Sequence, residues 1–320
     1  MDVSLFLTSF SPVFKAVFSI FLIILASGLL VRFKVISQEN IKSLSVATIN
    51  VFYPCMIFSK VLKNFNPVEF HYWWIVPLSS IAMILIAMAI SAFLFCKELP
   101  RKKNMIALSS LMNAGYLVLP VGKMLYPNQF DEFASLCFLF ILGLSPVLWS
   151  VGKFLVTSEA GEKMSFKSLA TPPFVANLFA VLLVLTSLKL FVPDIIISTT
   201  SFLGNATVPL ATFILGATLG SISFKIWPPV WDVLRVVSVK FIIIPIITIF
   251  VLSLTNLRVE YPLLADLFVI QSAVAPAANI IIQIRKYGGD KQKIGSVMFI
   301  SYLICLISIP MWLSIWRIMG

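Results

Sequence analysis

Two short runs of polar residues, small residues and proline interrupt otherwise apolar stretches of this chain. The first is NAGYLVLP, Asn113–Pro120, and the second is QSAVAPAAN, Gln271–Asn279. Proline removes a backbone donor and clashes with the preceding turn, so such a run suits a cavity wall better than a lipid-facing helix. If each helix breaks just before its proline, Pro120 and Pro276 become the first residues of new half-helices. Two half-helix N-termini then direct their positive ends at one site, which is an arrangement that holds an anion.

Amide and hydroxyl side chains in these runs are the candidate ligands of that anion. Asn113 and Asn279 can each offer NH2 donors to a carboxylate, and polar residues inside a membrane are functional by default. The alternative is that both amides satisfy backbone groups freed by the helix breaks. Tyr116, Gln271 and Ser272 are further candidates for the same site.

Three charged residues of the apolar segments need a separate interpretation. Lys123 follows Pro120 by three residues, about 4.5 Å along a helix, so it could reach the substrate cavity and select dianions, or extend its stem outward to water. Lys240 stands in VVSVKFIIIPIITIF and could likewise extend toward the cytoplasm. Asp266 precedes Pro276 by ten residues, about 15 Å along a helix, which predicts a position at the outer interface.

Carboxylates are scarce in the apolar segments. Apart from Asp266, and Asp232 at the start of its segment, no Asp or Glu falls inside a span. A buried-carboxylate site for sodium or protons is therefore not expected. We expect export that is driven by the membrane potential. For a monovalent anion, an inside-negative potential of about 100 mV supplies about 2.3 kcal/mol in the export direction.

The composition indicates a protein that is solvated mostly by lipid. Of its 320 residues 60% are hydrophobic and 12% are charged, against roughly 25% charged in soluble domains. The net charge of +11 comes from short basic clusters between apolar runs, so the bilayer is the expected partner and nucleic acid is not. The four cysteines lack CxxC spacing and neighbouring histidines, so no disulfide framework, metal site or cofactor is expected. No enzyme motif such as HExxH or GxSxG is present.

Ten apolar segments are long enough to span a bilayer, at about 20 residues per span. They are Phe14–Val31, Ile41–Val61, Trp73–Cys96, Met105–Tyr126, Phe133–Val156, Leu169–Val192, Thr199–Ile222, Trp231–Leu257, Leu263–Ile284 and Ile294–Trp316. Basic residues concentrate in the odd-numbered loops, so the positive-inside rule predicts a plasma-membrane protein with both termini outside. Met1–Pro12 carries Asp2 and no Lys or Arg, which argues against a cleaved signal peptide.

The two halves of the chain share an N-x3-P-x3-F motif. Its residues are Asn50, Pro54 and Phe58 in span two, and Asn205, Pro209 and Phe213 in span seven. The offset of these prolines is 209 − 54 = 155, and that of Pro120 and Pro276 is 276 − 120 = 156. Nearly equal offsets indicate an internal repeat, and five spans per repeat place the second half upside down in the membrane. We predict an all-α membrane protein in which residues 1–157 and 158–320 form a 5+5 inverted repeat, with broken helices in spans four and nine.

Four segments resemble a known family. INVFYPCMIF (Ile49–Phe58), NAGYLVLP, VPLATFILGATL (Val208–Leu219) and SAVAPAANIIIQIRKYGGD (Ser272–Asp290) are similar to the auxin efflux carrier family of bacterial transporters, which includes malonate and malate permeases and is related to plant PIN-type auxin exporters. The resemblance implies a sodium/proton-antiporter-like fold. Spans 1, 2, 6 and 7 would form a dimerising scaffold, and spans 3–5 and 8–10 a moving transport domain for organic anions. The short segment Thr157–Phe166, where the plant exporters have a large loop, favours the bacterial branch and the inner membrane.

The resemblance also bears on single residues. An Asn seven residues before the first crossover proline is a family feature, which implies a role for Asn113. A lysine around the second crossover matters for ion coupling in the antiporter fold, so Lys240 is a candidate for coupling or charge compensation, together with Asp266. The sequence departs from the family at Val118, where Gly is frequent, and at Lys123, where an apolar residue is usual.

We therefore predict a secondary carrier of small organic anions, such as malonate, malate or auxin-like acids, that works as a homodimer by elevator-type alternating access. Gly216 and Gly220 form a GxxxG pattern in span seven, which fits packing inside the monomer and a dimer contact equally well. One alternative is a sodium- or proton-coupled symporter of the bile-acid carrier type. The other is an anion-binding membrane sensor, which would usually carry an effector segment beyond the tenth span.

Overall fold

The protein folds almost entirely into helices. A computed structural model describes residues 3–157, 169–222, 227–281 and 291–319. The helices are α1 Val3–Arg32, α2 Gln38–Ala47, α3 Tyr53–Asn64, α4 Ile75–Leu94, α5 Lys103–Ser110, α6 Val118–Leu125, α7 Phe130–Val147, α8 Lys153–Thr157, α9 Pro172–Leu185, α10 Asp194–Gly204, α11 Thr207–Gly220, α12 Val230–Ser238, α13 Ile244–Ser253, α14 Leu257–Glu260, α15 Pro262–Ala273 and α16 Lys291–Ile318. Single π-helical turns, Thr48–Phe52, Leu148–Gly152 and Val239–Ile243, join α2 to α3, α7 to α8 and α12 to α13.

Seven helices within the described residues are long and apolar enough to cross a membrane. They are Ser4–Arg32, Gln38–Asn64, Ile75–Leu94, Phe130–Val156, Asp194–Gly220, Val230–Ser253 and Ile294–Ile318. They correspond to predicted spans one, two, three, five, seven, eight and ten. Spans six and nine correspond to the shorter apolar helices Pro172–Leu185 and Pro262–Ala273, so the ten-span count and the inverted repeat stay predictions.

Predicted span four consists of two eight-residue helices, α5 and α6. The residues between them, 111–117, are not helical. Span nine is interrupted in the same way after Ala273, where the backbone becomes extended at Val274. Both interruptions overlap the polar runs, as their sequences predict.

The N-x3-P-x3-F motif accompanies two different backbone irregularities. Asn50 lies in the π-helical turn before α3, and its Nδ2 donates to the Val46 carbonyl over 2.7 Å. Asn205 instead ends α10, and α11 begins two residues later. Pro209 falls in the first turn of α11, where a missing N–H leaves no hydrogen bond unmade. Pro54 instead lies just after the π-helical turn, inside the continuous helical run Gln38–Asn64.

Three glycines let α1 and α11 approach closely. A Cβ on Gly220 would lie 2.3 Å from the Gly28 carbonyl oxygen, and one on Gly216 would lie 2.1 Å from Ser27 Oγ. Small residues at such contacts let helix backbones pack within van der Waals distance in lipid. The GxxxG pattern of span seven therefore serves a contact inside the monomer.

Charged side chains fasten the start of α5 to α12. Lys102, which precedes α5, pairs with the buried carboxylate of Asp232. Arg235 donates to Glu98 over 2.8 Å in the segment between α4 and α5. This hydrogen bond from Arg235 holds the pKa of the Glu98 carboxyl below its usual value.

Candidate functional site

The two polar runs cross each other at a buried point. Met112 and Pro276 face each other in an isolated antiparallel bridge. On one side the Asn113 N–H donates to the Ala275 carbonyl over 2.9 Å, and on the other the Ala277 N–H donates to the Leu111 carbonyl over 3.1 Å. Backbone groups freed by breaking two helices thus satisfy each other, as a buried, water-poor environment requires.

The prolines occupy positions that differ from the predicted helix starts. Helix α6 begins at Val118, two residues before Pro120, and Pro276 lies in the bridge itself, with helical backbone resuming at Asn279. The prediction that each proline opens a half-helix is therefore wrong by two to three residues. Pro276 and Met112 form a non-hydrogen-bonded pair, in which neither residue donates its N–H across the bridge. A residue without an N–H fits that position without loss.

Asn113 holds the crossing together through both ends of its amide. Its Nδ2 donates to the Tyr302 hydroxyl on α16 over 2.5 Å, and its Oδ1 accepts the Tyr116 N–H over 3.1 Å. The Tyr302 hydroxyl in turn donates to the Pro276 carbonyl over 3.0 Å. With 3% of its surface exposed, Asn113 does what the alternative interpretation of the amides predicts.

Lys240 lies directly behind the crossing. It is 2% exposed, and its Nζ donates to the Leu111 carbonyl over 3.3 Å. The alternative in which its stem extends to the cytoplasm is therefore wrong. Leu111 caps the C-terminal end of α5, where the partial negative charge of a helix favours a cation.

Gln271, on α15, contacts the first of the two non-helical segments, residues 111–117. This segment and residues 274–278 are called the crossing strands. Its Nε2 lies 3.4 Å from the Ala114 carbonyl, which also accepts from the Cys137 thiol at 3.0 Å. Gln271 is fully buried, and its Oε1 has no hydrogen-bond partner among the described residues. Ser272 bonds within its own helix, to the Val269 carbonyl over 2.7 Å.

A cavity of about 160 Å³ opens beside the crossing. Its wall includes Asn113, Tyr116 and Asn279 from the two runs, and Ser145, Trp149 and Thr171 from neighbouring elements. The wall contains no charged residue among those the structure describes. The Asn279 side chain is half-buried and has no hydrogen-bond partner among the described residues, so its amide is available to a ligand.

An aromatic pair forms one side of this cavity. The Tyr53 and Tyr116 rings stack with centroids 6.1 Å apart. A Cβ on Gly115 would lie 2.1 Å from the Tyr53 hydroxyl, so only glycine allows the chain to pass so close to that ring.

The structure does not bring Lys123 and Asp266 to the cavity. Lys123 is exposed, with its ammonium 4.6 Å from the centre of the Phe130 ring, because the stem extends to water as the alternative predicts. Asp266 accepts hydrogen bonds from Tyr126 and from Arg317, over 2.7 and 2.8 Å.

Two residues of the site were missed by the sequence analysis. Tyr302 touches both crossing strands, and its signal was a hydroxyl inside an otherwise apolar span. Tyr53 directly precedes Pro54 of the repeated motif, which could have drawn attention to it. The sequence does not reveal what either tyrosine contacts, because hydrogen bonds between distant spans leave no spacing pattern in the sequence.

A bundle of apolar helices with a polar, unwound crossing at its centre is the architecture of a secondary membrane transporter. The chain matches the model of the membrane transport protein family over residues 12–313. It belongs to this family, the auxin efflux carriers, as its motifs predict.

Three relatives agree with this assignment. An uncharacterized transporter of Methanocaldococcus jannaschii is 24% identical over 288 residues, which are 88% of this chain and 91% of the relative. Protein PIN-LIKES 1 of Arabidopsis thaliana is 27% identical over 51% of this chain and 37% of its own length. Protein PIN-LIKES 5 of the same plant is 33% identical over 38% of this chain and 31% of its own length.

Proposed function

We propose that the protein carries small organic anions across the membrane and binds their carboxylate in the crossing cavity. The observation that carries the proposal is the chemistry of the wall, which contains the amides of Asn113 and Asn279 and the phenol of Tyr116, and no acidic side chain among the described lining residues. A carboxylate entering such a site gains hydrogen bonds and meets no like charge.

Asn279 is the principal ligand in this proposal. Its side chain has no hydrogen-bond partner among the described residues, whereas Asn113 donates one amide N–H to Tyr302 and keeps only the other for a ligand. Tyr116 adds a phenol from the same wall. Gln271, Ser272, Pro120 and Pro276 then act by shaping the crossing and not by touching the anion.

Positive charge at the site has two sources. Helix α6 begins at Val118 beside the crossing, and a helix N-terminus is equivalent to roughly half a positive charge. Lys240 adds an ammonium on the Leu111 carbonyl, one residue from Met112 of the cavity wall. Lys240 therefore takes the charge-compensating role, and selection of dianions by Lys123 is not proposed.

The size of the cavity favours a small substrate. At about 160 Å³ it lies below the roughly 300–1,000 Å³ of pockets for drug-sized ligands. Malonate and malate therefore fit the proposal better than a bulky aromatic acid. Transport of such an acid would need the cavity to widen.

The mechanism we propose is elevator-type alternating access in a 5+5 inverted repeat. Spans 1, 2, 6 and 7 would form a scaffold and dimer contact, and spans 3–5 and 8–10 the moving domain. One observation supports this division: α1 and α11, both in the proposed scaffold, pack closely through glycines. The Lys60–Asp131 pair of 2.7 Å joins α3 of the scaffold to α7 of the moving domain, so the proposed motion has to break it. The proposal places the protein in the bacterial inner membrane with both termini outside.

The driving force we propose is the membrane potential. No acidic side chain lines the described cavity, and Asp266 is occupied by Arg317 and Tyr126. A second candidate, sodium- or proton-coupled symport, is favoured by one observation: the buried Gln271 Oε1 without a hydrogen-bond partner is an oxygen that a coupled cation could use.

Flux of labelled malonate, malate and indole-3-acetate into proteoliposomes tests the proposal, with potential, sodium and proton gradients imposed separately. We expect malonate or malate to move with potential alone. Flux that requires sodium or protons would replace potential-driven transport by symport. Binding without flux under any gradient would make the protein a sensor.

A pair of asparagine variants tests the binding site itself. Asn279→Ala should weaken anion binding at least tenfold, because a charge-assisted hydrogen bond contributes about 1.5–3 kcal/mol. Asn50→Ala is the matched control, because Asn50 bonds to its own helix outside the cavity. Equal affinities of Asn279→Ala and the unmodified protein would refute the assignment of Asn279.

A further inference from the structure

A second cavity lies between α4 and α13, and it does not touch the crossing strands. Its volume is about 480 Å³, three times that of the crossing cavity. One wall is formed by α4 from Ile75 to Ile86 and the other by α13 from Ile244 to Leu252. We call this cavity the α4–α13 groove.

The groove has the length of half a bilayer core. The 11 steps from Ile75 to Ile86 rise about 16 Å at 1.5 Å per residue, and the hydrocarbon core is about 30 Å thick. Trp73 and Trp74 directly precede α4, and tryptophans mark the membrane interface. The groove therefore runs from one interface to about the midplane, as an acyl chain of one leaflet does.

One end of the groove is polar and acidic. Tyr72, Asn256, Glu260 and Tyr261 line it there, and Glu260 is the only charged residue among the described lining residues. Glu260 is exposed and has no ion-pair partner among the described residues. The nearby Arg258 is occupied elsewhere, since it donates to the Arg317 carbonyl over 2.7 Å and lies over the Trp316 ring.

Glu260, which no described cation pairs with, and the two tyrosines at the same end of the groove favour an occupant with positive charge. Ammonium groups are attracted both by carboxylates and by the faces of aromatic rings. The organic anion proposed for the crossing would be repelled here by Glu260. The occupant of this groove thus combines an alkyl chain of half-bilayer length with an ammonium head.

We propose that the α4–α13 groove binds one phospholipid with a primary ammonium headgroup, phosphatidylethanolamine. One acyl chain lies along α4 and α13, and the ammonium lies at Glu260. The proposal holds whatever the crossing carries, because the two cavities share no lining residue among those described.

Native mass spectrometry of the purified full chain tests this site. The probes are dioleoyl phosphatidylethanolamine and dioleoyl phosphatidylglycerol, which have identical chains and different headgroups. We expect one lipid to survive delipidation, with phosphatidylethanolamine preferred about two- to fivefold, the range of an exposed ion pair. Equal retention of both lipids would overturn the headgroup assignment.

Two substitutions on α4 locate the lipid in the groove. Ala82→Trp fills it, since Ala82 lines the wall, and should lower lipid retention at least tenfold. Leu85→Trp is the matched control, because Leu85 is 51% exposed on the same helix and does not line the groove. Retention that is equal in both variants would overturn the proposal.

Two Glu→Gln substitutions test the contact between Glu260 and the lipid headgroup without disturbing the fold. Glu260→Gln should abolish the preference for phosphatidylethanolamine and leave total lipid retention unchanged. Glu69→Gln, an exposed acid outside the groove, should keep the preference. A preference that survives Glu260→Gln would refute the role of Glu260, and binding of a second copy of the chain in place of lipid would refute the whole proposal.

Discussion

The two crossing strands meet at one bridge and are held in opposite ways. The strand 111–117 is braced by side chains: Asn113 bonds at both ends of its amide, and Lys240 and Gln271 reach the carbonyls of Leu111 and Ala114. The strand 274–278 consists of valine, alanine and proline. Its Pro276 carbonyl accepts from Tyr302, and Asn279, the residue after this strand, has no side-chain partner in the part of the chain that the structure describes.

This difference indicates a division of labour between two similar sequence runs. Each contains an asparagine near its proline, and from the sequence both asparagines are equal candidates for the anion. The braced one fixes the geometry of the site, and the unpaired one remains for the ligand. A site whose backbone is fixed in advance binds its anion without first reordering the protein.

Asn113→Ala should have the largest effect on stability. It removes the bond to Tyr302 and leaves the Tyr116 N–H without its acceptor, and each loss costs about 1–3 kcal/mol. We expect the free energy of unfolding, measured by denaturant titration in detergent micelles, to fall by about 2–4 kcal/mol. Asn279→Ala is the control and should change it by less than about 0.5 kcal/mol. Equal losses in the two variants would break the comparison.

Tyr302→Phe should weaken the joint between the two strands. The hydroxyl accepts from Asn113 and donates to Pro276, so its loss leaves a buried carbonyl unpaired and should cost about 1–3 kcal/mol. Anion affinity should fall as well, because the strands are no longer fixed together. Tyr72→Phe, whose ring is 53% exposed, is the control. An unchanged unfolding free energy for Tyr302→Phe would show that the strands hold without it.

Lys240→Met separates charge from stability. Replacing a buried charge by an apolar side chain of similar length is often neutral or stabilising, whereas the anion loses its nearest cation. We expect about a tenfold loss of anion affinity in a binding titration, with no fall in unfolding free energy. Lys123→Met, at an exposed position, should alter neither quantity. A Lys240→Met protein with full affinity would leave the helix N-terminus as the sole positive charge at the site.

The smallest expected effect is a loss of thermal stability at low pH. The pKa of Glu98 is lowered in the folded state chiefly by its hydrogen bond from Arg235, so its stabilising contribution is present above the unfolded-state pKa. That contribution is lost as pH falls below about 4.5, the ordinary value. Melting temperatures measured across this range should fall slightly more for the unmodified protein than for Glu98→Gln. Parallel curves would show that this ion pair does not anchor α5.

Local physics explains how much of the site was predictable. Proline and small polar residues cannot continue a lipid-facing helix, so both interruptions were predicted within a few residues. The exact helix starts were not, because the bridge between Met112 and Pro276 sets them. That bridge is a tertiary contact, and it gives Pro276 a position where its missing N–H is harmless.

The roles of individual side chains were less predictable. Nothing around Asn113 or Asn279 in the sequence tells which amide is occupied, since the partner Tyr302 is 189 residues away from Asn113. Lys123 and Lys240 have similar apolar surroundings in the sequence. One is exposed and the other buried, because only Lys240 meets a helix carbonyl end in the folded protein.

The bridge also has a consequence for how the protein is made. Asn113 and Ala275 are 162 residues apart in the chain, and ribosomes add about 5–20 residues per second. The first strand therefore waits roughly 10–30 s in the membrane before its partner is synthesised. During that time its unpaired backbone N–H and C=O groups need hydrogen bonds from water or from an insertase, because lipid offers none. Any pause in translation between the two strands would lengthen this exposure.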